Sequence, residues 1–225
     1  MNLPTSVEER VNAGISVVTT CYNERENIQK LIPAIRSALA AIPHQIIVVD
    51  DSSPDGTVEV ARQLVDVAVT KEREGQTSGL AHGMRLARYD AIVTIDSDLE
   101  NQPKWIPTLA RKLADFDIVV ASRHELPRIS ERIFSRLYRN QLGVRDVLSN
   151  YRAYRRSIVP SISPTKGETF GAEFLIRAHK RGLKIGEITV EPQQRRPKPR
   201  IGNTVTANLR ILMALIRTMR IKSVD

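Results

Sequence analysis

One cysteine, Cys21, stands in 225 residues, which excludes an intrachain disulfide and a zinc module built on cysteines. The four histidines show no paired spacing of the kind a zinc site uses. Aromatic residues make up 4% of the chain, too few to interleave a basic surface for stacking on nucleic-acid bases. No uncharged apolar run approaches the ~20 residues that cross a bilayer. Met1 to Asn12 is polar and has no apolar stretch of the secretory kind. These absences give the expectation of a soluble or peripheral protein of the cytoplasm. The G-x-G-x-x-G spacing is missing from Gly75 to Gly83, whose small residues suit close helix packing instead. No Cys/His or G-x-S-x-G arrangement supports covalent acyl chemistry, so Cys21 reads as a packing residue.

What is present is a globular composition, 41% hydrophobic and 26% charged. The net charge of +9 is unevenly spread. Residues 1–122 hold 12 Lys and Arg against 17 Asp and Glu, a net −5, whereas residues 123–225 hold 22 against 8, a net +14. An acidic half is suited to a divalent cation. A basic half is suited to phosphates, anionic lipid headgroups or nucleic acid.

The apolar pattern of the first half alternates between short β-branched runs and longer helical stretches. Ile15 to Thr20, Gln45 to Asp50, Asp66 to Lys71, Ala91 to Asp96 and Ile118 to Ser122 read as strands. Glu26 to Ala41 reads as a helix, with Ile28, Leu31, Ile32, Ile35 and Leu39 on one face. Thr57 to Leu64 and Gln76 to Arg88 read as two more. Strands separated by helices imply βαβ units and a mostly parallel sheet, which binds ligands beyond the carboxyl ends of its strands. Later come helical patterns at Arg128 to Leu142, Phe174 to Arg181 and Val205 to Ile221, a strand at Ile185 to Val190, and a basic Pro-containing loop from Gln193 to Gly202.

Several loops at those strand ends carry chemistry. Asp96 and Asp98 are two carboxylates separated by Ser97. Such a pair can share one hard cation, Mg²⁺ or Mn²⁺, that also meets substrate phosphates. Asp50 and Asp51 are adjacent acids at a strand end, where a ligand would justify one of them; Asp55 to Thr57 reads as turn and helix cap. Tyr22 can stack on a base and Glu24 can accept from a ribose or base, while Asn23 and Glu26 suit a capping box. Arg128, Arg132, Arg136 and Arg139 fall on one helix face beside Ile129, Ile133 and Leu137. A second basic amphipathic stretch carries Leu209, Leu212, Met213, Ile216 and Met219. Helices of this kind can lie in a membrane interface or pack as ordinary surface helices.

Taken in order, these segments resemble a family 2 glycosyltransferase, and within it the dolichyl-phosphate mannose synthase group of polyprenyl-phosphate glycosyltransferases. The resemblance is carried by Tyr-Asn-Glu-Arg-Glu-Asn at 22–27, Ile-Val-Val-Asp-Asp-Ser-Ser-Pro-Asp-Gly-Thr at 47–57, the small-residue helix at 75–87, Asp-Ser-Asp-Leu-Glu at 96–100, Ala-Ser-Arg at 121–123, Tyr-Arg-Ala-Tyr-Arg-Arg at 151–156 and Phe-Gly-Ala-Glu-Phe-Leu-Ile-Arg-Ala at 170–178. It implies an α/β fold of the GT-A type, a Rossmann-like nucleotide-sugar-binding domain over residues 1–204, with a basic amphipathic helix at 205–225.

The resemblance also implies roles. Thr20, Tyr22, Glu24, Val49, Asp51, Asp96, Ser97 and Arg200 would bind the nucleotide sugar. Asp96, Asp98 and Glu100 would hold a divalent cation. Asp98, Arg123 and Arg128 would carry catalysis, the two arginines meeting donor or acceptor phosphates. The implied reaction moves a hexose, mannose from GDP-mannose being favoured, to a polyprenyl or dolichyl phosphate with inversion and metal dependence. The enzyme would lie on the cytoplasmic face of a membrane, where a membrane partner subunit could assist. The rivals are a soluble or polymer acceptor and, in another class, a basic nucleic-acid-binding module.

Overall fold

The computed structural model describes residues 13–126, 129–161 and 170–191. In chain order the elements are β1 (Ile15–Cys21), α1 (Arg25–Ala38), β2 (His44–Asp50), α2 (Thr57–Leu64), β3 (Val67–Thr70), α3 (Gln76–Arg85), β4 (Ala91–Thr94), α4 (Ile106–Lys112), β5 (Ile118–Arg123), α5 (Ile129–Leu142), β6 (Arg152–Arg155), α6 (Phe170–Lys180) and β7 (Ile185–Val190). The expected helix from Val205 and the basic loop from Gln193 lie outside the described residues.

Seven strands form one sheet in the order β3-β2-β1-β4-β6-β5-β7. All pairings are parallel except the two made by β6, which runs antiparallel between β4 and β5. The mostly parallel α/β expectation holds, and β6 and the short helix α4 are elements that the sequence pattern did not reveal. Because β6 reverses the direction twice, β4 and β5 run the same way and their carboxyl ends share one edge. The amino end of β6 reaches that edge too, since Arg152 pairs with Thr94 at the end of β4.

Both faces of the sheet are covered, which explains the continuous apolar runs of its strands. On one face Val17, Ile46, Val48 and Val93 meet α1, α2 and α4. On the other Val18, Ile47, Val49 and Ile92 meet α3, α5 and α6. The alternation of adjacent residues between the two layers is the period-2 geometry of a strand. Ile28, Leu31, Ile32, Ile35 and Leu39 are all buried, as their helical spacing requires. Full burial of each such side chain contributes about 1.5–3 kcal/mol.

Helix α3 approaches the sheet more closely than a helix with side chains at every position could. A Cβ on Gly79 would lie 2.7 Å from Thr20 Cγ2, and one on Gly83 2.5 Å from Val18 Cγ1. The small residues of this segment therefore serve packing, as expected.

Candidate active site

The loops that follow β1, β2 and β4, three neighbouring strands, each contain one residue forced to positive φ. They are Asn23 at 55°, Ser52 at 61° and Leu99 at 65°, the only non-glycine residues so placed among those described. Such conformations cost roughly 1–3 kcal/mol each and persist where surrounding structure imposes them. All three flank the crevice that the topology marks out.

The loop after β1 differs from the expected capping box. Helix α1 is flanked by Glu24, which makes no side-chain capping bond, and Asn23 before it is left-handed. Asn23 N donates instead to Ser53 Oγ at 3.0 Å, and Glu24 N to Thr57 Oγ1 at 3.1 Å. Glu24 is buried, and its Oε2 accepts from Asn27 Nδ2 at 2.5 Å. The Tyr22 ring is covered by Arg73, whose Cζ lies 4.0 Å from the ring centroid. A cation thus occupies the face on which a base was expected to stack. Thr20 turns its methyl toward Gly79 of α3.

After β2 the two adjacent acids have separate tasks. Asp50 is fully buried and closes its own turn, accepting from Ser53 N at 2.8 Å and Ser53 Oγ at 2.5 Å. Asp51 pairs with Lys71 Nζ and accepts from the backbone amides of Glu74 and Gly75 at 3.1 and 3.0 Å. Both acids are therefore satisfied inside the protein, and Asp51 anchors the β3–α3 segment as well as facing the crevice. The Val49 side chain corrects an expectation: it is fully buried under α3, close to Gly83, so it lines the core and not a pocket.

After β4 the chain turns sharply at Leu99. Asp96 Oδ1 accepts from Gln76 Nε2 at 2.6 Å, and Oδ2 from Asn101 Nδ2 at 3.4 Å. Burial, and next the charge of Asp98, push the Asp96 carboxyl up to about 6, against opposing effects from the Gln76 hydrogen bond and the charges of Arg123 and Arg152. Ser97 is buried between the two acids, and Asp98 is exposed, its Oδ1 accepting from Glu100 N at 3.1 Å.

Asp96 and Asp98 repel each other, which is the condition a bound dication relieves. The pair fits Mg²⁺ or Mn²⁺ of the kind that one or two carboxylates hold, with phosphate and water oxygens completing the shell. The expected third ligand does not join them. Among the described residues no three acidic, histidine or cysteine side chains converge as a cation cluster. Glu100 contributes its backbone amide to Asp98 Oδ1.

Arg123, at the end of β5, also differs from expectation. Its Nε donates to Asp146 Oδ2 at 2.6 Å and its Nη2 to Asp146 Oδ1 at 3.3 Å, with Glu131 Oε1 3.6 Å from the same Nη2. The fork expected to meet a phosphate is engaged by a carboxylate only 1% exposed. A buried acid needs such a cation, and this need accounts for the pairing. Arg152 was not singled out by sequence. It is fully buried and donates to Gly171 O at 2.6 Å and Val147 O at 2.8 Å. Burial pushes its guanidinium below the ordinary arginine range, opposed by Tyr154, Asp146 and Asp96. Arg128 and Arg200, two further expected phosphate contacts, lie outside the described residues.

The fold therefore brings Thr20, Tyr22, Glu24, Asp51, Asp96, Ser97, Asp98 and Arg123 to one edge and removes the Val49 side chain from it. Sequence reasoning assigned no role to Lys71, Arg73, Gln76, Asp146, Asn150 or Arg152, although Lys71 and Arg73 fall in a strand-end segment that the parallel-sheet rule brings to the crevice. Only the charged ones gave any signal, and that signal was lost among the many Lys and Arg of the chain.

Comparisons with known proteins agree with this architecture. The family model described as Glycosyl transferase family 2 matches residues 16–165. A dolichol-phosphate mannosyltransferase of Pyrococcus furiosus is 37% identical over 116 residues, covering 49% of this chain and 33% of that protein. An undecaprenyl-phosphate 4-deoxy-4-formamido-L-arabinose transferase of Pseudomonas savastanoi is 31% identical over 168 residues, covering 66% of this chain and 49% of the relative. The chain thus matches half or less of the length of these relatives. The crystal structure of glucosyl-3-phosphoglycerate synthase from Mycobacterium tuberculosis, in complex with Mn²⁺, UDP and phosphoglyceric acid, superposes with a TM-score of 0.78 at 22% identity, over 99% of this chain and 85% of that one. The fold is of the GT-A type.

Proposed function

The chain belongs to glycosyltransferase family 2, and from that premise we propose that it transfers a hexose from a nucleotide-diphosphate sugar to a polyprenyl phosphate. GDP-mannose is the favoured donor. The observation that carries the reading is the meeting of the loops at the ends of β2, β1 and β4, where Asp51 and Asp96 are held by consecutive residues, Gly75 and Gln76. The names of the two relatives, both transferases acting on polyprenyl phosphates, support the acceptor class.

In this reading the nucleoside enters between the loop of Tyr22 to Glu24 and the segment that Asp51 anchors. Thr20 and Ser97 line its path by backbone and hydroxyl, and Arg73 swings from the Tyr22 ring to make room for the base. The diphosphate lies toward Asp96 and Asp98. A divalent cation, Mg²⁺ or Mn²⁺, held by that pair would neutralise charge on the leaving diphosphate. The acceptor phosphate is anionic near neutral pH, so no carboxylate base is required, and catalysis reduces to positioning and charge stabilisation. An acceptor oxygen attacks the anomeric carbon as its bond to the diphosphate breaks, with inversion. Arg123 meets the acceptor only by sharing its charge with Asp146, while Arg128 and Arg200 complete the phosphate contacts.

The acceptor is a membrane lipid, and α5 supports docking at its surface. The core face of α5 is Phe134, Tyr138 and Leu142, which leaves Ile129, Ile133 and Leu137 exposed at 68%, 41% and 54%. Exposed Arg132, Arg136 and Arg139 flank them. An apolar stripe rimmed by arginine suits the interface of an anionic bilayer, and the cytoplasmic face is the proposed location. Among the described residues no helix is long and apolar enough to cross a membrane.

The test is a donor screen of GDP- and UDP-sugars against polyprenyl phosphate, with Mg²⁺, with Mn²⁺ and with EDTA. Hexosyl lipid formed only with a cation supports the reading. Transfer to soluble acceptors alone contradicts the lipid assignment.

A further inference from the structure

The segment between β3 and α3 is pinned at its backbone. Asp51 takes the amides of Glu74 and Gly75 and the ammonium of Lys71. With its backbone so held, Gln76 opens α3 and lays its side chain across the crevice. Nε2 donates to Asp96 Oδ1 at 2.6 Å, and Oε1 accepts from Asn150 Nδ2 at 3.1 Å. The chemistry fixes both amide orientations. A carboxylate only accepts, so Gln76 turns its NH₂ group to Asp96 and offers its carbonyl to the NH₂ of Asn150. Asn150 is itself tied to the sheet, its backbone O accepting from Thr94 Oγ1 at 2.5 Å.

Gln76 is nevertheless exposed. Ordering an exposed glutamine at both ends costs side-chain entropy, and the first position of a helix asks for no such partners. The arrangement serves Asp96. It commits Oδ1 at 2.6 Å and leaves Oδ2 with a contact of 3.4 Å to Asn101, longer than an ordinary N–H···O bond.

We propose that Gln76, braced by Asn150, is a positioning residue that fixes the Asp96 carboxylate so that Oδ2 is presented to a divalent cation. The inference rests on the reading of Asp96 and Asp98 as the cation pair. Carboxylates that bind metals are oriented by hydrogen bonds from neighbouring groups, whose loss costs about 10–100-fold in metal affinity. Gln76 supplies that bond from a different element than the one bearing the ligands, which is why spacing along the chain does not reveal it.

The test titrates Mn²⁺ into the full chain, alone and with saturating GDP or UDP, and reads free Mn²⁺ by electron paramagnetic resonance. Wild type is compared with Gln76→Met, Asn150→Ala, the double variant and Asp98→Asn, each with its thermal midpoint. Gln76→Met still unfolds in one cooperative transition, its midpoint lowered only modestly by the lost hydrogen bond to ionised Asp96, and weakens Mn²⁺ binding by roughly 10-fold or more. Asn150→Ala weakens it less, and the double variant is no worse than Gln76→Met, because Asn150 acts through Gln76. Nucleotide binding measured in EDTA stays at the wild-type level in Gln76→Met, which a general collapse of the crevice would not allow. Wild-type Mn²⁺ affinity in Gln76→Met or in Asn150→Ala, beside lost affinity in Asp98→Asn, overturns the positioning role and leaves the cation pair standing. Wild-type protein that takes up no Mn²⁺ under any of these conditions overturns the cation pair, and this inference with it.

Discussion

Asp51 and Asp96 follow different strands, yet neighbouring residues hold them: Gly75 N donates to Asp51 Oδ2 at 3.0 Å and Gln76 Nε2 to Asp96 Oδ1 at 2.6 Å. One short connection therefore spans the proposed nucleoside and diphosphate ends of the crevice. A shift of that connection moves both acids together.

The ionisation of Asp96 gives a pH signature. Burial and Asp98 raise its carboxyl to about 6 in the metal-free protein, above the ordinary carboxylate value. The folded state binds the proton more tightly than the unfolded chain, so ionised Asp96 costs stability above pH 6. That cost is relieved as the pH falls through about 6 and is fully removed below the unfolded value near 4. Asp96→Asn is expected to remove this dependence and to raise the thermal midpoint of the metal-free protein at neutral pH. Denaturation curves at pH 5, 6 and 7, with and without the substitution, check it.

Arg123 carries structural load whatever its part in transfer. Arg123→Ala strands Asp146, which is 1% exposed, and is expected to cost about 3–5 kcal/mol. Arg123→Met combined with Asp146→Leu removes both charges and is expected to recover most of that loss. Urea denaturation of the three proteins separates this from a purely catalytic role, which would leave stability unchanged.

The close approach of α3 sets a steric limit. Gly83→Ala would place a methyl 2.5 Å from Val18 Cγ1 and 3.0 Å from Val49 Cγ2, and is expected to destabilise by about 1–3 kcal/mol through overpacking. Gly75→Ala, with no atom within 4 Å of its Cβ but a φ of 88°, tests backbone strain instead of space. Thermal melts of the two variants distinguish the causes.

Cys21 is expected to be inert. Burial, then the charge and hydrogen bond of Asp50, hold its thiol far above the ordinary range. Iodoacetamide should leave the folded protein unmodified near neutral pH and label it fully in denaturant. Rapid labelling of the native protein would contradict the packing role.

Much of the sheet was legible because its strands are β-branched runs buried on both faces, and α1 because five apolar residues share one stripe. Strand β6 was not, since Arg152-Ala-Tyr-Arg155 is four residues with an arginine at each end, and nothing local shows that Arg152 is itself fully buried. The Asp-Ser-Asp turn could be placed from its strand end. The bonds of Asp51 to Lys71 and of Arg123 to Asp146 join residues about 20 positions apart, and only the assembled sheet brings them together. Val49 shows the converse: its motif pointed to the pocket, but strand alternation directs its side chain under α3.

In the proposed reaction two carboxylates, Asp96 and Asp98, act together on a leaving diphosphate. The direct measurement is the rate of hexose transfer from GDP-mannose to polyprenyl phosphate by wild type and Asp98→Asn, each with Mn²⁺ and with EDTA. The expected result is transfer by wild type that requires the cation, and a loss of at least about 100-fold in Asp98→Asn. Undiminished turnover in Asp98→Asn, or in EDTA, would contradict it.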